Sequence, residues 1–196
     1  MNCRKPLNVL VVDESRQRAG DMCRALALAG HRVAAVLASS VHLSEEVAAL
    51  KPDVILIETE TPSRDTLEHL AIMDRDMPRP VVLFSLDDDD DVIRQAVRAG
   101  VSAYVVDGLD PARLRSVIQV AQAHFEEFQL VKKELEATSR KLSERKIVDR
   151  AKGILMQARG LSEVDAYSAL RRLSMERSRT LAAVSRDVIA MADILL

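Results

Sequence analysis

Residues 144–160 read Glu144-Arg-Lys-Ile-Val-Asp-Arg-Ala-Lys-Gly-Ile-Leu-Met-Gln-Ala-Arg-Gly160. Ile147, Val148, Ala151, Ile154, Leu155 and Ala158 recur at helical spacing, which predicts a helix with one apolar face. Gly160 supplies the stop. Ser162, with Asp165 three residues on, starts a second helix by a variant of the capping box, with Ala166, Tyr167, Leu170 and Leu173 as its apolar set. The turn Arg177-Ser-Arg-Thr180 breaks that pattern, and Leu181, Val184, Val188, Met191 and Leu195 make a third helix. Three short helices with matched apolar faces predict a small bundle. Gly153 lies inside the first helix, where glycine costs about 1 kcal/mol relative to alanine. Close helix packing is the expected compensation, ahead of direct approach by a ligand.

Working outward, the charge is divided. From Ser139 onward there are 12 basic and 7 acidic residues, a balance of +5, against −7 for the rest of the chain. A basic tail on an acidic body suits a polyanionic partner. Tryptophan is absent and aromatic residues are 3%, which argues against RNA binding on an aromatic stacking sheet.

The chain has 196 residues, 48% hydrophobic and 30% charged, enough for one ordinary domain and a smaller appendage. No apolar run approaches the roughly 20 residues needed to cross a bilayer, and the N-terminus leads straight into a strand pattern. The expectation is a cytoplasmic protein without a membrane partner. Cys3 and Cys23 form no metal or redox spacing, and His31, His42, His69 and His124 are scattered at positions that suit structural or surface roles.

The acidic body alternates strand and helix. Strands are expected at Leu7–Val12, Arg32–Leu37, Val54–Ile57, Val81–Phe84 and Ala103–Val106. Helices are expected at Arg16–Ala29, His42–Leu50, Thr66–Met73 and Val92–Ala99. This order predicts an α/β fold, a five-stranded parallel sheet wound on both faces in the flavodoxin-like manner, with any site at the carboxyl ends of the strands. Asp13 and Glu14 follow the first strand, Glu58 the third, Ser85 the fourth and Asp107 the fifth. Asp87 to Asp91 is a run of five acids before a helix, read first as N-capping, with a cation or basic partner as the alternative.

Downstream, Leu114, Ile118, Ala121, Phe125 and Phe128 keep four–three spacing, and Leu135 and Leu142 follow at sevens, with Val131 and Thr138 as companions. Pro111 stands where a helix can begin. One long helix with an imperfect heptad seam is expected, a homodimer coiled coil, the alternative being a helix folded back on its own body.

Two resemblances follow from these residues. Ala151-Lys-Gly-Ile-Leu-Met156, then Ala166 and Leu170, then Leu181 to Val188, resembles the ANTAR domain of AmiR- and NasR-type transcription antiterminators. The first half, with Asp13-Glu14 and Pro52-Asp-Val-Ile-Leu-Ile-Glu58, resembles a response-regulator receiver. The implied domains are a degenerate receiver at 1–122, a coiled-coil connector at 111–145 overlapping its last helix, and an all-α three-helix ANTAR domain at 139–196. The receiver resemblance implies a divalent cation on the first acidic pair and a phosphoacceptor aspartate, where this chain has Glu58. It also implies a lysine where this chain has Asp107. A longer nucleophile and a lost cation disfavour phosphotransfer and leave a carboxylate cluster that must recruit a cation or hold a proton. No cofactor is required, and Mg2+ at Asp13 and Glu14 is allowed.

The ANTAR resemblance implies binding to hairpins of a nascent leader mRNA, which prevents formation of a terminator, with no enzymatic activity. Lys152, Arg159, Arg171, Arg172, Arg177 and Arg179 are the expected phosphate or base contacts, with Tyr167 as a stacking residue. Ala151, Gly153, Met156, Ala166 and Leu170 are read as packing. Ser63-Arg-Asp-Thr-Leu-Glu-His69 and Ala103-Tyr-Val-Val-Asp-Gly108 resemble the nitrate/nitrite-assimilation, NasT-type branch. That branch implies control by a ligand-sensing nitrate/nitrite regulatory protein. The competing function is a DNA-binding response regulator using the last two helices as a helix-turn-helix, with or without phosphorylation.

Overall fold

The computed structural model describes residues 5–195, with side chains for residues 5–192. Cys3 and the side chain of Leu195 therefore lie outside the described residues. Five strands, β1 (Asn8–Asp13), β2 (Arg32–Leu37), β3 (Val54–Glu58), β4 (Val81–Ser85) and β5 (Ala103–Val106), form one parallel sheet in the order β2-β1-β3-β4-β5. The helices between them are α1 (Arg16–Leu28), α2 (Leu43–Leu50), α3 (Arg64–Asp76) and α4 (Asp90–Arg98). Three helices complete the chain: α5 (Leu114–Arg159), α6 (Glu163–Glu176) and α7 (Leu181–Leu195).

The strands β1, β3 and β4 carry unbroken apolar runs, Val9–Val12, Val54–Ile57 and Val81–Phe84, because both sheet faces are covered there. Leu10, Val12, Ile55, Ile57 and Leu83 meet Leu43, Val47, Leu70 and Met73 on one face. Val9, Val11, Leu56, Val82 and Phe84 meet Met22 and Leu26 of α1 and Leu114, Ile118 and Ala121 of α5 on the other. The edge strand β2 alternates between exposed and half-buried residues, as a strand paired on one side only does.

The chain divides into two compact units, Met1–Gln129 and Leu130–Leu196, and α5 runs through the division. Pro111 does not open that helix. The carboxylate of Asp110 accepts the Ala112 N–H at 2.9 Å and holds residues 111–113 in a turn, so α5 starts at Leu114. Helix α3 begins earlier than its apolar spacing indicates because the Ser63 hydroxyl caps it, accepting the Thr66 N–H at 3.1 Å. The acidic run does cap α4. Asp89 accepts the Asp91 N–H at 2.7 Å, and Arg94 pairs with both Asp90 and Asp91.

In the second unit Ala151, Leu170 and Val184 form the centre of a three-helix core, with Val148, Leu155, Leu173, Leu181, Val188 and Ile189 packed around it. Gly160 ends α5 at φ +63°, a conformation that needs no Cβ. Several residues read as packing lie elsewhere. Tyr167 is 42% exposed, Met156 38% and Met191 57%, because Leu170, Val184 and small residues already fill the centre of the core. Gly153 is also corrected: a Cβ built there meets nothing within 4 Å, so close helix packing is not its reason. Gly153→Ala should accordingly stabilise the bundle by about 0.5–1 kcal/mol, measured by chemical denaturation followed by circular dichroism.

Candidate nucleic-acid interface and receiver pocket

In the C-terminal bundle, the basic residues singled out by sequence separate into two groups. Lys152 is one of the least exposed, its side chain 15% accessible. It lies on α5 and bridges Asp149 at 2.8 Å and Glu163, in the first turn of α6, at 2.7 Å. These carboxylates hold its ammonium pKa above the ordinary lysine value. Its geometry is that of a strut between two helices. Arg177 and Arg179 are similarly engaged: both reach Asp187 of α7, and Ser174 donates to the Arg179 carbonyl at 2.6 Å. They fix the turn between α6 and α7, in which Ser178 is left-handed at φ 49°.

The second group faces outward. Arg159 and Arg171 are exposed and make no ion pair among the described residues, and Arg172 touches Glu176 only at 3.9 Å. Tyr167 and Arg171, four residues apart, share the exposed face of α6. Arg159 and Arg172 flank an open groove walled by Leu155, Ala158, Leu173, Val188 and Met191. Exposed guanidinium groups beside an apolar surface can hold phosphate oxygens and shelter an unstacked base.

At the carboxyl ends of the strands, the receiver pocket is built around a residue that sequence reading did not single out. Asp13 ends β1 and is 3% exposed. Its Oδ1 accepts the Ser15 N–H at 2.7 Å and Arg18 Nη2 at 3.2 Å, and its Oδ2 accepts Arg18 Nε at 3.4 Å. Arg18 is carried by the first turns of α1, whose N-cap is Ser15. Its Nη1 lies 3.7 Å from Glu60 Oε1. The available signal was a cation five positions after Asp13, just inside a helix that starts at the acidic pair.

Glu58 ends β3 half-buried, and its Oε2 has no hydrogen-bond partner among the described residues. Burial first, and then the charge of Asp13, pushes its carboxyl pKa up, which favours the protonated form. Ser85 is fully buried and committed: its hydroxyl donates to the Glu60 carbonyl at 2.7 Å and accepts the Asp87 N–H at 3.1 Å. Glu14 and Asp107 stand apart from these groups. Both are exposed, and Gly108, not Asp107, approaches Glu58. Asp107 and Gly108 both have positive φ, 69° and 76°, and this double left-handed turn carries the Asp107 side chain away.

The Mg2+ implied for a receiver does not fit this arrangement. An octahedral cation needs several free oxygen donors about 2.1 Å away. Here the buried Asp13 carboxylate is occupied by Arg18, Glu14 faces solvent, and no group of three or more His, Cys, Asp or Glu side chains among the described residues is placed to hold a metal.

Comparison with known proteins agrees with both halves. The response regulator receiver domain matches residues 9–119, and the ANTAR domain matches residues 136–189. The transcriptional regulatory protein PdtaR of Mycobacterium tuberculosis is 26% identical over 184 residues, 94% of this chain and 90% of that protein. The nitrate regulatory protein of Klebsiella oxytoca is 31% identical over 70 residues, 36% of this chain and 17% of that protein. Among solved structures, a CheY-like receiver domain protein from Methanospirillum hungatei superposes with a TM-score of 0.55 at 16% identity, covering 63% of this chain and 98% of that one. A two-component response regulator of the LuxR family from Aurantimonas gives 0.55 at 21%, covering 61% and 86%. At these identities the superpositions establish the fold alone.

Proposed function

Because the chain belongs to the response regulators with a receiver domain and an ANTAR domain, we propose that it is an RNA-binding transcription antiterminator. It binds hairpins of a nascent leader mRNA through the C-terminal bundle and so prevents a terminator from forming. The observation that carries this is the outward set of Arg159, Arg171 and Arg172 on a small helical bundle within the ANTAR match. A bundle of this kind cannot enter the deep, narrow major groove of A-form RNA, so loop bases and the phosphates around them are its targets. Arg159, Arg171 and Arg172 hold phosphates, and Tyr167 offers a ring to a loop base. Lys152, Arg177 and Arg179 position the helices. The domains are a receiver at 1–122, a connector at 111–145 and an ANTAR domain at 139–196, and the exposed apolar residues of α5 join two chains.

Control comes from binding. Glu58 is half-buried, and Ser85 is already bonded within the protein, so neither is poised for phosphoryl transfer. A ligand-sensing partner, of the nitrate/nitrite kind suggested by the name of the Klebsiella relative, holds the protein inactive and releases it when its ligand arrives. Such a partner acts only through its differential affinity for two arrangements of the protein, about 5.5 kcal/mol for a near-complete switch.

The test is a gel-shift competition between a leader-hairpin RNA and duplex DNA of equal phosphate content. The hairpin should win, and Arg171→Ala should lower the salt slope by about 0.7–0.9, the loss of one phosphate contact. Lys152→Ala should leave that slope unchanged while loosening the bundle. Preference for the duplex would select the helix-turn-helix alternative. A stable gain of one phosphoryl group from acetyl phosphate, lost in Glu58→Gln and accompanied by tighter RNA binding, would overturn control by binding alone.

A further inference from the structure

We propose that the guanidinium of Arg18 is a tethered cation that takes the place of the receiver's divalent ion, so that the acidic pocket is held together without metal. Arg18 pairs with carboxylates of two segments, the buried Asp13 and the exposed Glu60, and Glu58 lies near enough to act on its charge. Asp13 comes from the end of β1, Glu58 from the end of β3, and Glu60 from the segment that follows it. Carboxylates held this close repel one another unless a cation lies among them. Arg18 supplies that charge. It reaches both oxygens of Asp13, at 3.2 and 3.4 Å, and approaches Glu60 at 3.7 Å from the same guanidinium.

The chemistry of the group suits the position. A guanidinium is planar, carries five donors, keeps its charge at any physiological pH and gives up water more readily than an ammonium. One side chain can therefore bridge carboxylates from two loops. Mg2+ would need Asp13 as a direct ligand at about 2.1 Å and surrenders its own water reluctantly. With the Asp13 side chain buried and its carboxylate already taken by the Ser15 amide and Arg18, a metal would have to displace the arginine first. The same bridge acts mechanically. Arg18 ties the start of α1 to the Glu60 segment, and Ser85 grips the Glu60 carbonyl from the other side. The loops around the pocket are thereby clamped in one arrangement by groups the chain itself carries. This inference does not depend on RNA binding.

The experiment uses the full chain and two probes, Mn2+ followed by electron paramagnetic resonance and Mg2+ followed by thermal unfolding. Wild type should bind no Mn2+ at millimolar concentration, and Mg2+ should leave its Tm unchanged. Arg18→Ala should unfold at a lower temperature in the absence of metal and regain several degrees with Mg2+, because the ion can then pair with the Asp13 carboxylate that Arg18 no longer occupies and draw its acidic neighbours around it. Arg18→Met, which keeps much of the aliphatic stem, should behave in the same way. Asp13→Asn combined with Arg18→Ala should abolish the response. Millimolar or tighter Mn2+ binding by wild type would overturn the proposal. So would Arg18 variants that gain no metal response, or that stay unfolded with and without Mg2+, since the metal should replace the lost cation.

Discussion

Leu170→Ala should remove most of the stability of the C-terminal bundle while leaving the receiver folded. Among the described residues, the buried side chains of that unit are small: Ala151, Ala166 and Ala182 are alanines, Ser185 is polar, and Val184 and Leu170 supply the bulk. Leu170 is the largest of them and touches the centre of the three-helix core. Truncating a buried leucine costs about 2–5 kcal/mol, the transfer loss plus the cavity left behind. A bundle of this size has roughly 3–5 kcal/mol to lose. Hydrogen exchange read by mass spectrometry should show protection collapsing from about residue 144 to residue 192 and persisting through the sheet, and RNA affinity should fall with it. Exchange of the C-terminal unit unchanged from wild type would mean that the bundle is held by something other than this core.

Replacing Leu135 and Leu142 together by aspartate should convert a dimer into a monomer. On α5, Phe128, Val131, Leu135 and Leu142 are 60%, 56%, 69% and 56% exposed, and they stand at three–four–seven spacing along one helix. Leu114, Ile118 and Ala121 continue the same periodicity upstream, but they are fully buried against the sheet of their own chain. The heptad pattern therefore serves two surfaces in succession. Its first turns pack inside the receiver, and the remainder is exposed in the single chain, with two chains meeting there in the proposed dimer. Each leucine buried in such a seam contributes roughly 1.5–3 kcal/mol, and a dimer would lose four of them, so the dissociation constant should rise at least about a thousandfold. Sedimentation of wild type and variant at micromolar concentration checks this. A monomeric wild type under RNA-binding conditions would defeat the seam.

The helix boundaries show how closely local chemistry can be read. Ser162 was legible as a cap because its partner Asp165 follows at the proper spacing, and the hydroxyl accepts the Asp165 N–H at 3.2 Å. Ser63 is an equally good cap, but no apolar residue immediately follows it, so periodicity alone placed the start of α3 two residues late. Pro111 satisfied the rule for a first helical residue, and a competing side-chain acceptor on Asp110 took the preceding turn instead.

The sequence by itself determined the order of strands and helices, the basic tail and the acidic residues at the strand ends, because these depend on periodicity, composition and neighbours a few residues apart. Which charges are free was decided only by the tertiary structure. Arg159 and Lys152 look alike as letters, yet one ends α5 in solvent and the other is braced between Asp149 and Glu163, 11 residues away on another helix. Arg18 and Asp107 reverse expectation for the same reason. The helical geometry of α1 aims Arg18 back at Asp13, while two consecutive left-handed residues after β5 turn Asp107 out of the pocket. Charge is a property of the residue, but its availability depends on which groups the fold places within about 4 Å of it, and that distance is set by long-range packing.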